Sequence, residues 1–382
     1  MLDPQRLALR NPTAYQMLTS FSITNFKCYK TLELKNLRQI NVVSGDNASG
    51  KTALLEAVMI AARATPDPLF AVTAFRGVTI NQQPIATGTS QITFGVTAQS
   101  VAAMGELLCH KGIDDSKQSE KSFSFRFIDS EKKSYSVVVT VDTSSATRLR
   151  NAPVATMQSR IISIKRKTGK EQSIVDVGIN AGGQITVNPQ SPQPFGPVSY
   201  FFASSAVYAE ADNLLWFSEL REKNYEALEA VLKFMTHQFP FISTLEILQP
   251  NNVSGLYARL NNGDVRRLTM ISSGIHKMVS ILLAIAENAS GVVLIDEIEN
   301  GIFHSRYADF WGAIIDFALK QNCQLFVSSH SLECLQALSP AMSEHQSDVC
   351  LLRTAYRNDQ FCVDQIVGGQ LATALAGNVE IR

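Results

Sequence analysis

Gly45, Gly50, Lys51 and Thr52 stand at the spacing G-x-x-x-x-G-K-[ST] in the stretch GDNASGKT, residues 45–52. Each residue type in that pattern meets a need of a bound triphosphate. Glycines let successive backbone N–H groups turn inward, forming an anion nest that runs into a helix start, where the peptide dipoles favour negative charge. Lys51 would then reach the β and γ phosphates, and the Thr52 hydroxyl would meet Mg²⁺. Asn47 and Ser49 fill the loop and join the candidate nucleotide-binding set. The expected cofactors are ATP and Mg²⁺.

Three further stretches carry groups suited to the same chemistry. In GVVLIDEIENG an apolar run ends in Asp296 and Glu297. Carboxylates there suit the Mg²⁺ coordination sphere (Asp296) and the positioning of an attacking water (Glu297). Alone they would read as helix-capping acids; beside Gly45–Thr52 the catalytic reading takes over. LFVSSHS ends another apolar run with Ser328, Ser329, His330 and Ser331, where a neutral histidine can hydrogen-bond a γ-phosphate or the attacking water. In LTMISSGIHK, Ser272, Ser273 and Gly274 open a helix. Hydroxyls, a glycine and free N–H groups form an anion site there, although in isolation the same residues make an ordinary N-cap.

The elements that must position these groups are legible in outline. QINVVSG is a short β-branched run before the loop, and KTALLEAVMIAARA after it places Leu54, Leu55, Val58 and Met59 at helical spacing. SFSITNFKCYKTLEL reads as a strand, a turn and a second strand. From Gln91 to Ser199 the pattern stays strand-like, in SQITFGVTA, KSFSFRFID, SYSVVVTVD and RIISIKRK. Residues 180–198, rich in Gly, Pro, Asn and Gln, read as a loop or subdomain boundary. Residues 210–239 then change period to one or two amphipathic helices, with Asp212 or Asn213 as N-cap. After STLEILQP and GLYARLNN, a helix from about Gly274, the strand GVVLIDE, a helix, the strand CQLFVSS and a last helix alternate as parallel strands with crossover helices do.

Composition sets bounds. At 382 residues and 45% hydrophobic, the chain can bury one large core or two smaller ones. Lys plus Arg and Asp plus Glu balance at 34 each, so any basic patch must be local. Six scattered cysteines without a C-x-x-C pair suggest buried thiols in a reducing compartment. The first residues lack a signal-peptide core, and the stretch MVSILLAIAENASGVVLIDE is broken by Glu287 and Asn288, so a cytoplasmic chain without a membrane partner is expected.

Taken together, ITNFKCYKTLELKNLRQINVVSGDNASGKTALLEAV and LIDEIENGIFHSRYADFW…QLFVSSHSLECLQAL resemble the ABC-type ATPases, a class that includes transporter ATPases, SMC and Rad50 heads, RecF and the OLD (overcoming lysogenisation defect) proteins. The stand-alone OLD/RecF-like group is the most similar, because Lys51 and Asp296 lie much further apart than in transporter ATPases. The resemblance implies an α/β P-loop NTPase of the ABC-ATPase head type, with a mixed β-sheet, a β-rich N-terminal lobe and a helical lobe. It implies one composite ATPase domain: residues 1–199 with the phosphate loop (Walker A) and an antiparallel β-subdomain, 200–275 as a helical lobe leading to the signature motif, and 276–382 with Walker B and the switch histidine. Lys51 and Thr52 become the triphosphate and Mg²⁺ residues, Asp296 the Walker B aspartate, Glu297 the catalytic glutamate, Ser272, Ser273 and Gly274 the signature, and His330 the switch. The active form it implies is a head-to-head homodimer closed by ATP and opened by hydrolysis.

The chain also departs from the group's pattern. The signature is a bare SSG rather than L-S-G-G-Q, Phe303 stands where the group carries a histidine, with His304 one place later, and only Gln82 and Gln83 offer themselves as a glutamine loop. Many OLD proteins carry a C-terminal TOPRIM nuclease. Residues 331–382 are too few for one, and NVEIR resembles the terminus of single-domain members, so a complete, non-nuclease ATPase is expected. Two outputs follow. The first is an ATP-dependent switch or sensor for a separately encoded effector, a nuclease or toxin in anti-phage defence as the resemblance implies. The second is a RecF- or Rad50-like ATPase that binds DNA directly, for which Arg160, Lys165, Arg166, Lys167 and Lys170 are the local candidates. A basic strand of this kind also discourages edge-to-edge sheet aggregation.

Overall fold

The computed structural model describes residues 17–74, 81–82, 94–95, 98–110, 120–142, 159–179, 185–188, 198–201 and 210–376. The polar leader, Gln83, most of the 180–198 loop and the terminal NVEIR lie outside the described residues.

From the N-terminal side, β1 (Leu18–Phe26) and β2 (Tyr29–Leu34) pair antiparallel, and the turn between them is tightened by positive φ angles at Asn25 and Lys27. β3 (Ile40–Ser44) is buried at every position, as a strand covered on both faces must be. α1 (Lys51–Arg63) begins on the residue after Gly50, and α2 (Pro66–Ala74) starts with the proline that a first turn tolerates. A two-residue ladder of β4 (Asn81–Gln82) and β5 (Phe94–Gly95) precedes α3 (Ala98–Leu108). Of SQITFGVTA, Phe94–Gly95 form a strand and Ala98 already opens α3, while residues 90–93 and 96–97 lie outside the described residues. The following AQSVAAMGELL is rich in Ala, Met, Leu and Glu, whose helix propensity wins.

β6 (Glu120–Asp129), β7 (Ser134–Asp142), β8 (Ser159–Thr168), β9 (Glu171–Ile179) and β10 (Ile185–Asn188) continue the chain, followed by β11 (Val198–Phe201). Then come α4 (Glu210–Lys223), α5 (Tyr225–Gln238), β12 (Ile242–Leu248), β13 (Gly255–Leu260), β14 (Val265–Arg267) and the single turn α6 (Leu268–Ile271). The C-terminal half holds α7 (Ser273–Glu287), β15 (Val292–Ile295), α8 (Tyr307–Lys320), β16 (Gln324–Ser328), α9 (Leu332–Ala341), β17 (Val349–Arg357), β18 (Gln360–Val367) and α10 (Gly368–Ala376). α4 already runs from Glu210, so neither Asp212 nor Asn213 caps it. Asn213 is buried and donates to Ser280 Oγ instead, while Asn224 caps α5.

The chain forms two compact units. The first comprises Met1–Leu37, Thr52–Pro197 and Ala355–Val363. Its frame is an antiparallel seven-stranded sheet in the order β10-β9-β8-β7-β6-β1-β2. Alternation drives its packing: Phe123, Phe125 and Phe127 of β6 and Val137, Val139 and Val141 of β7 are buried while their neighbours are not.

The second unit comprises Arg38–Lys51, Val198–Thr354 and Asp364–Arg382. It is built on the sheet β11-β15-β16-β3-β17-β18, in which β11, β15, β16, β3 and β17 run parallel. α7 is buried at every residue from Gly274 to Ala286, the mark of a helix enclosed on all sides. Parallel register aligns the carboxyl ends of β15, β16 and β3, with Ile295 opposite Val327 and Ser328 opposite Val43. Loops leaving that edge of an open α/β sheet are where ligands bind.

Candidate functional site

β3 delivers the chain into the loop at Gly45, whose φ of 140° suits glycine, as does the 103° of Gly50; Ala48 between them sits at 61°. A Cβ on Gly45 would meet the carbonyl oxygen and hydroxyl of Thr354 at 2.3 Å, so no side chain fits there. Thr354, from β17, donates its hydroxyl to Ser44 O at 2.9 Å and so accepts from Ser49 Oγ at 2.6 Å. A buried pair of hydroxyls thus pins the loop's interior residue, while Asn47 at its tip is exposed. Lys51, nearly buried, donates to the carbonyls of Gly45 (2.7 Å) and Asp46 (2.8 Å). Burial lowers its pKa, and the charges of Asp296, Glu297, Glu299 and Asp46 resist that shift, which puts three acids of the β15 turn within electrostatic reach of the ammonium. Thr52 follows as the second residue of α1.

The turn after β15 is the second component. Asp296 is 3% exposed and accepts the Ser328 hydroxyl on Oδ1. The same hydroxyl accepts from Glu297 N–H at 2.8 Å, so one serine at the end of β16 fixes both acids. Glu297 holds a φ of 48°, a left-handed conformation that costs a non-glycine residue about 1–2 kcal/mol. Asn300 Nδ2 donates to its Oε2 at 2.6 Å, and Lys277 Nζ donates to its carbonyl at 2.6 Å. Lys277 is 2% exposed, and burial pulls its pKa down to about 8 against the opposing charges of Glu299, Glu297 and Asp296.

His330, one residue beyond Ser329, is half-exposed. Its Nδ1 lies 3.0 Å from Glu299 Oε1 and 3.8 Å from Glu297 Oε1. Ser272 precedes α7 in an extended conformation and makes no side-chain capping bond, so the ordinary N-cap reading fails there. Gly274 is required for a different reason: a Cβ on it would lie 1.9 Å from Gly301 O. The start of α7 therefore rests backbone-to-backbone on the turn that carries Glu297. Gly45–Lys51, Asp296, Glu297 and His330 gather at the carboxyl edge of β3, β15 and β16, and Ser272–Gly274 join them through Gly301.

Sequence reading overlooked Glu299, Lys277 and Thr354. The third acid of D-E-I-E and a lysine one turn into the SSG helix were visible signals, whereas Thr354 needed the register of β17 on β3. The donor set fits a triphosphate with a divalent cation: a glycine nest, one lysine, one hydroxyl and one buried carboxylate. Among the described residues no group of three or more His, Cys, Asp and Glu is placed to hold a metal ion.

Over 92% of this chain, an SMC head crystallised with the C-winged helix domain of ScpA superimposes with a TM-score of 0.54 at 12% identity, covering 98% of that structure. This is an SMC-head-like P-loop ATPase fold. Residues 17–174 match the family described as an AAA ATPase domain, which brings the phosphate loop of the SMC-head-like fold under an ATPase description. A Helicobacter pylori protein named "ATP/GTP phosphatase" is 22% identical over 377 residues, covering 93% of this chain and 96% of its own. These similarities support an ABC/SMC-like P-loop ATPase. Among the described residues, no helix of this SMC-head-like chain is long and apolar enough to cross a membrane.

Proposed function

We propose that this chain is an ATP-binding and ATP-hydrolysing ABC-type ATPase of the OLD/RecF kind, working as a dimerising switch for a separate effector protein. The observation that carries the reading is the β15–β16 edge, where Asp296 and Glu297 after β15 are hydrogen-bonded to Ser328 at the end of β16, with His330 close by and Lys51 within electrostatic reach. Gly45, Asn47, Ser49 and Gly50 shape the nest, and Lys51 exchanges its loop carbonyls for phosphate oxygens. Thr52 and Asp296 are the residues to hold Mg²⁺, which when bound neutralises charge developing on the phosphates. Glu297 orients and deprotonates the attacking water, its side chain steadied by Asn300. His330 contacts the γ-phosphate or that water through the ring nitrogen turned away from Glu299.

Ser272, Ser273 and Gly274 are read as the surface offered to ATP on a second copy. The absence of a capping bond at Ser272 and the contact of Gly274 with Gly301 support this, because a phosphate gripped by the α7 start would act on the Glu297 turn through shared backbone. The relative's description as an ATP/GTP phosphatase supports hydrolysis, and the SMC head solved with ScpA supports a protein partner as output. A cytoplasmic setting agrees with six free thiols, of which Cys323 and Cys334 are pushed up to about 12 by burial and are inert at neutral pH. A role in anti-phage defence rests on the resemblance alone. A second reading, direct DNA binding, has one local observation behind it. Lys165 and Lys167 are exposed on one face of β8, and Arg126 shares that face across Ser136, while Arg166 points the other way and bonds Ser173.

The test is native mass spectrometry of Glu297→Gln, isolated with its genomic neighbours, with and without Mg-ATP. An ATP-dependent dimer bearing a second polypeptide supports the switch. Retained DNA without a partner moves the function to the second reading, and a monomer indifferent to ATP removes the dimer mechanism from both.

A further inference from the structure

We propose that Glu299 is the positioning residue for His330, fixing the ring with its proton on Nδ1 so that Nε2 offers a lone pair to the water or phosphate at the reaction centre. This deepens the reading of His330 given above and rests on it. Glu299 Oε1 accepts the backbone N–H of His330 at 2.7 Å and of Ser331 at 3.1 Å. An oxygen already receiving two N–H donors acts as an acceptor, so facing it from 3.0 Å a proton on His330 Nδ1 is favoured over a lone pair. In a neutral imidazole the other nitrogen then carries the lone pair. Glu297 does not compete for Nδ1: its Oε1 is 3.8 Å away, beyond hydrogen-bonding distance, and its Oε2 is engaged by Asn300.

A purely structural role would make Glu299 the brace for the start of α9. Ser331 already caps that helix, accepting from Cys334 N–H at 3.2 Å. Moreover, Glu299 is 7% exposed, and its Oε2 is buried with no hydrogen-bond partner among the described residues. An orphaned carboxylate oxygen is a cost that a helix brace would not require, since an amide or hydroxyl would serve the two N–H groups. Functional sites are where such costs persist. Lys277, buried on α7, lies close enough for Glu299 to be foremost among the carboxylates raising its pKa, so the lone charge is partly compensated.

A double-mutant cycle tests this. Steady-state ATPase kinetics are measured for wild type, Glu299→Ala, Glu299→Gln, His330→Ala and Glu299→Ala/His330→Ala. Glu299→Ala is expected to lower kcat about 10–100-fold with little change in KM, as loss of a supporting carboxylate behind a histidine does at metal sites. Glu299→Gln, whose amide oxygen can still accept all three donors, is expected to retain most of the activity. In the His330→Ala background, Glu299→Ala should change kcat less than about twofold, because residues acting as a unit are not additive. Equal losses in both backgrounds overturn the proposal while leaving His330 in its role. A wild-type kcat for His330→Ala overturns the role of His330 and this proposal with it. Should Glu299→Ala fail to fold, long-range ¹⁵N NMR of histidine-labelled wild type decides, with the ring assigned by His330→Ala among the six histidines. An Nδ1–H tautomer supports the proposal, and an Nε2–H tautomer overturns it.

Discussion

A single hydroxyl at the end of β16 holds the two acids after β15. Ser328 Oγ donates to Asp296 and accepts from Glu297 N–H. Replacing it with alanine removes one partner from a part-buried N–H and one from a buried carboxylate, at about 1–3 kcal/mol for such a loss. Ser328→Ala is therefore expected to lower the thermal midpoint and to raise the Mg²⁺ concentration for half-maximal ATPase activity several-fold, with the KM for ATP at saturating Mg²⁺ little changed. An unaltered Mg²⁺ requirement would separate Ser328 from the metal role proposed for Asp296. At this scale the motif residues were legible because each of Gly45, Lys51, Asp296 and His330 is paired with a local signal, a glycine frame or the end of an apolar run. Glu299 was not, because its partner lies across a strand crossover, and only the register of β15 on β16 brings Glu299 to His330. The acid in isolation looks like any other turn carboxylate.

Among the elements, α7 carries a titratable group in an unusual setting. Lys277 is buried inside the most enclosed helix of the second unit, with its pKa lowered from the ordinary value near 10.5 to about 8. The folded protein then releases this proton before the unfolded chain does. Between pH 8 and 10.5 the unfolded state binds more protons at this site, so the site's contribution to stability rises with pH across that window and is flat below it. Chemical denaturation of wild type and Lys277→Met at pH 7.5 and 9.5 should show the difference between them shifting in favour of wild type by about 2 kcal/mol at the higher pH. A constant difference would mean that Lys277 keeps an ordinary pKa. Legibility varied along the elements for physical reasons. β3, β15 and β16 are short, wholly buried and mostly apolar runs bounded by turn signals, and such runs announce parallel core strands. α3 was hidden because TFGVTA reads as a continuation of the strand pattern before it. β17 and β18 went unread because neither carries a motif. Their connection is a two-residue turn in which Asn358 and Asp359 both have positive φ, the chemistry of a tight hairpin, and the Thr354 that pins the phosphate loop was missed with them.

At the scale of the molecule, the proposed switch requires a second copy, and two exposed apolar side chains make its proposed contact testable. Met270 lies two residues before Ser272 and is 82% exposed; Phe303 lies two residues after Gly301 and is 69% exposed. Lone apolar residues on a surface need no explanation. These two are different in place: Met270 lies four residues before Gly274 and Phe303 two residues after Gly301, the two glycines whose backbones meet at the helix start assigned to a partner's phosphate. Phe303 also occupies the position where the OLD-like pattern carries a histidine, and its ring rests against His304 at 4.4 Å between centroids, so it offers the partner an apolar face in place of a polar one. Burying such a ring in a dimer contributes about 1.5–3 kcal/mol, and a carboxylate in its place would have to be desolvated without a partner. In the hydrolysis-slowed Glu297→Gln background with Mg-ATP, Phe303→Asp is expected to weaken dimerisation at least tenfold by sedimentation velocity. The affinity of the monomer for a fluorescent ATP analogue should stay unchanged, since Phe303 lies outside the loop that holds the nucleotide. Because linkage is reciprocal, the same variant must also lose the ATP tightening that rises with protein concentration in Glu297→Gln alone. If dimerisation survives Phe303→Asp at full strength, the face bearing the α7 start is not where the copies meet, and the signature role of Ser272, Ser273 and Gly274 falls while the ATP site itself stands.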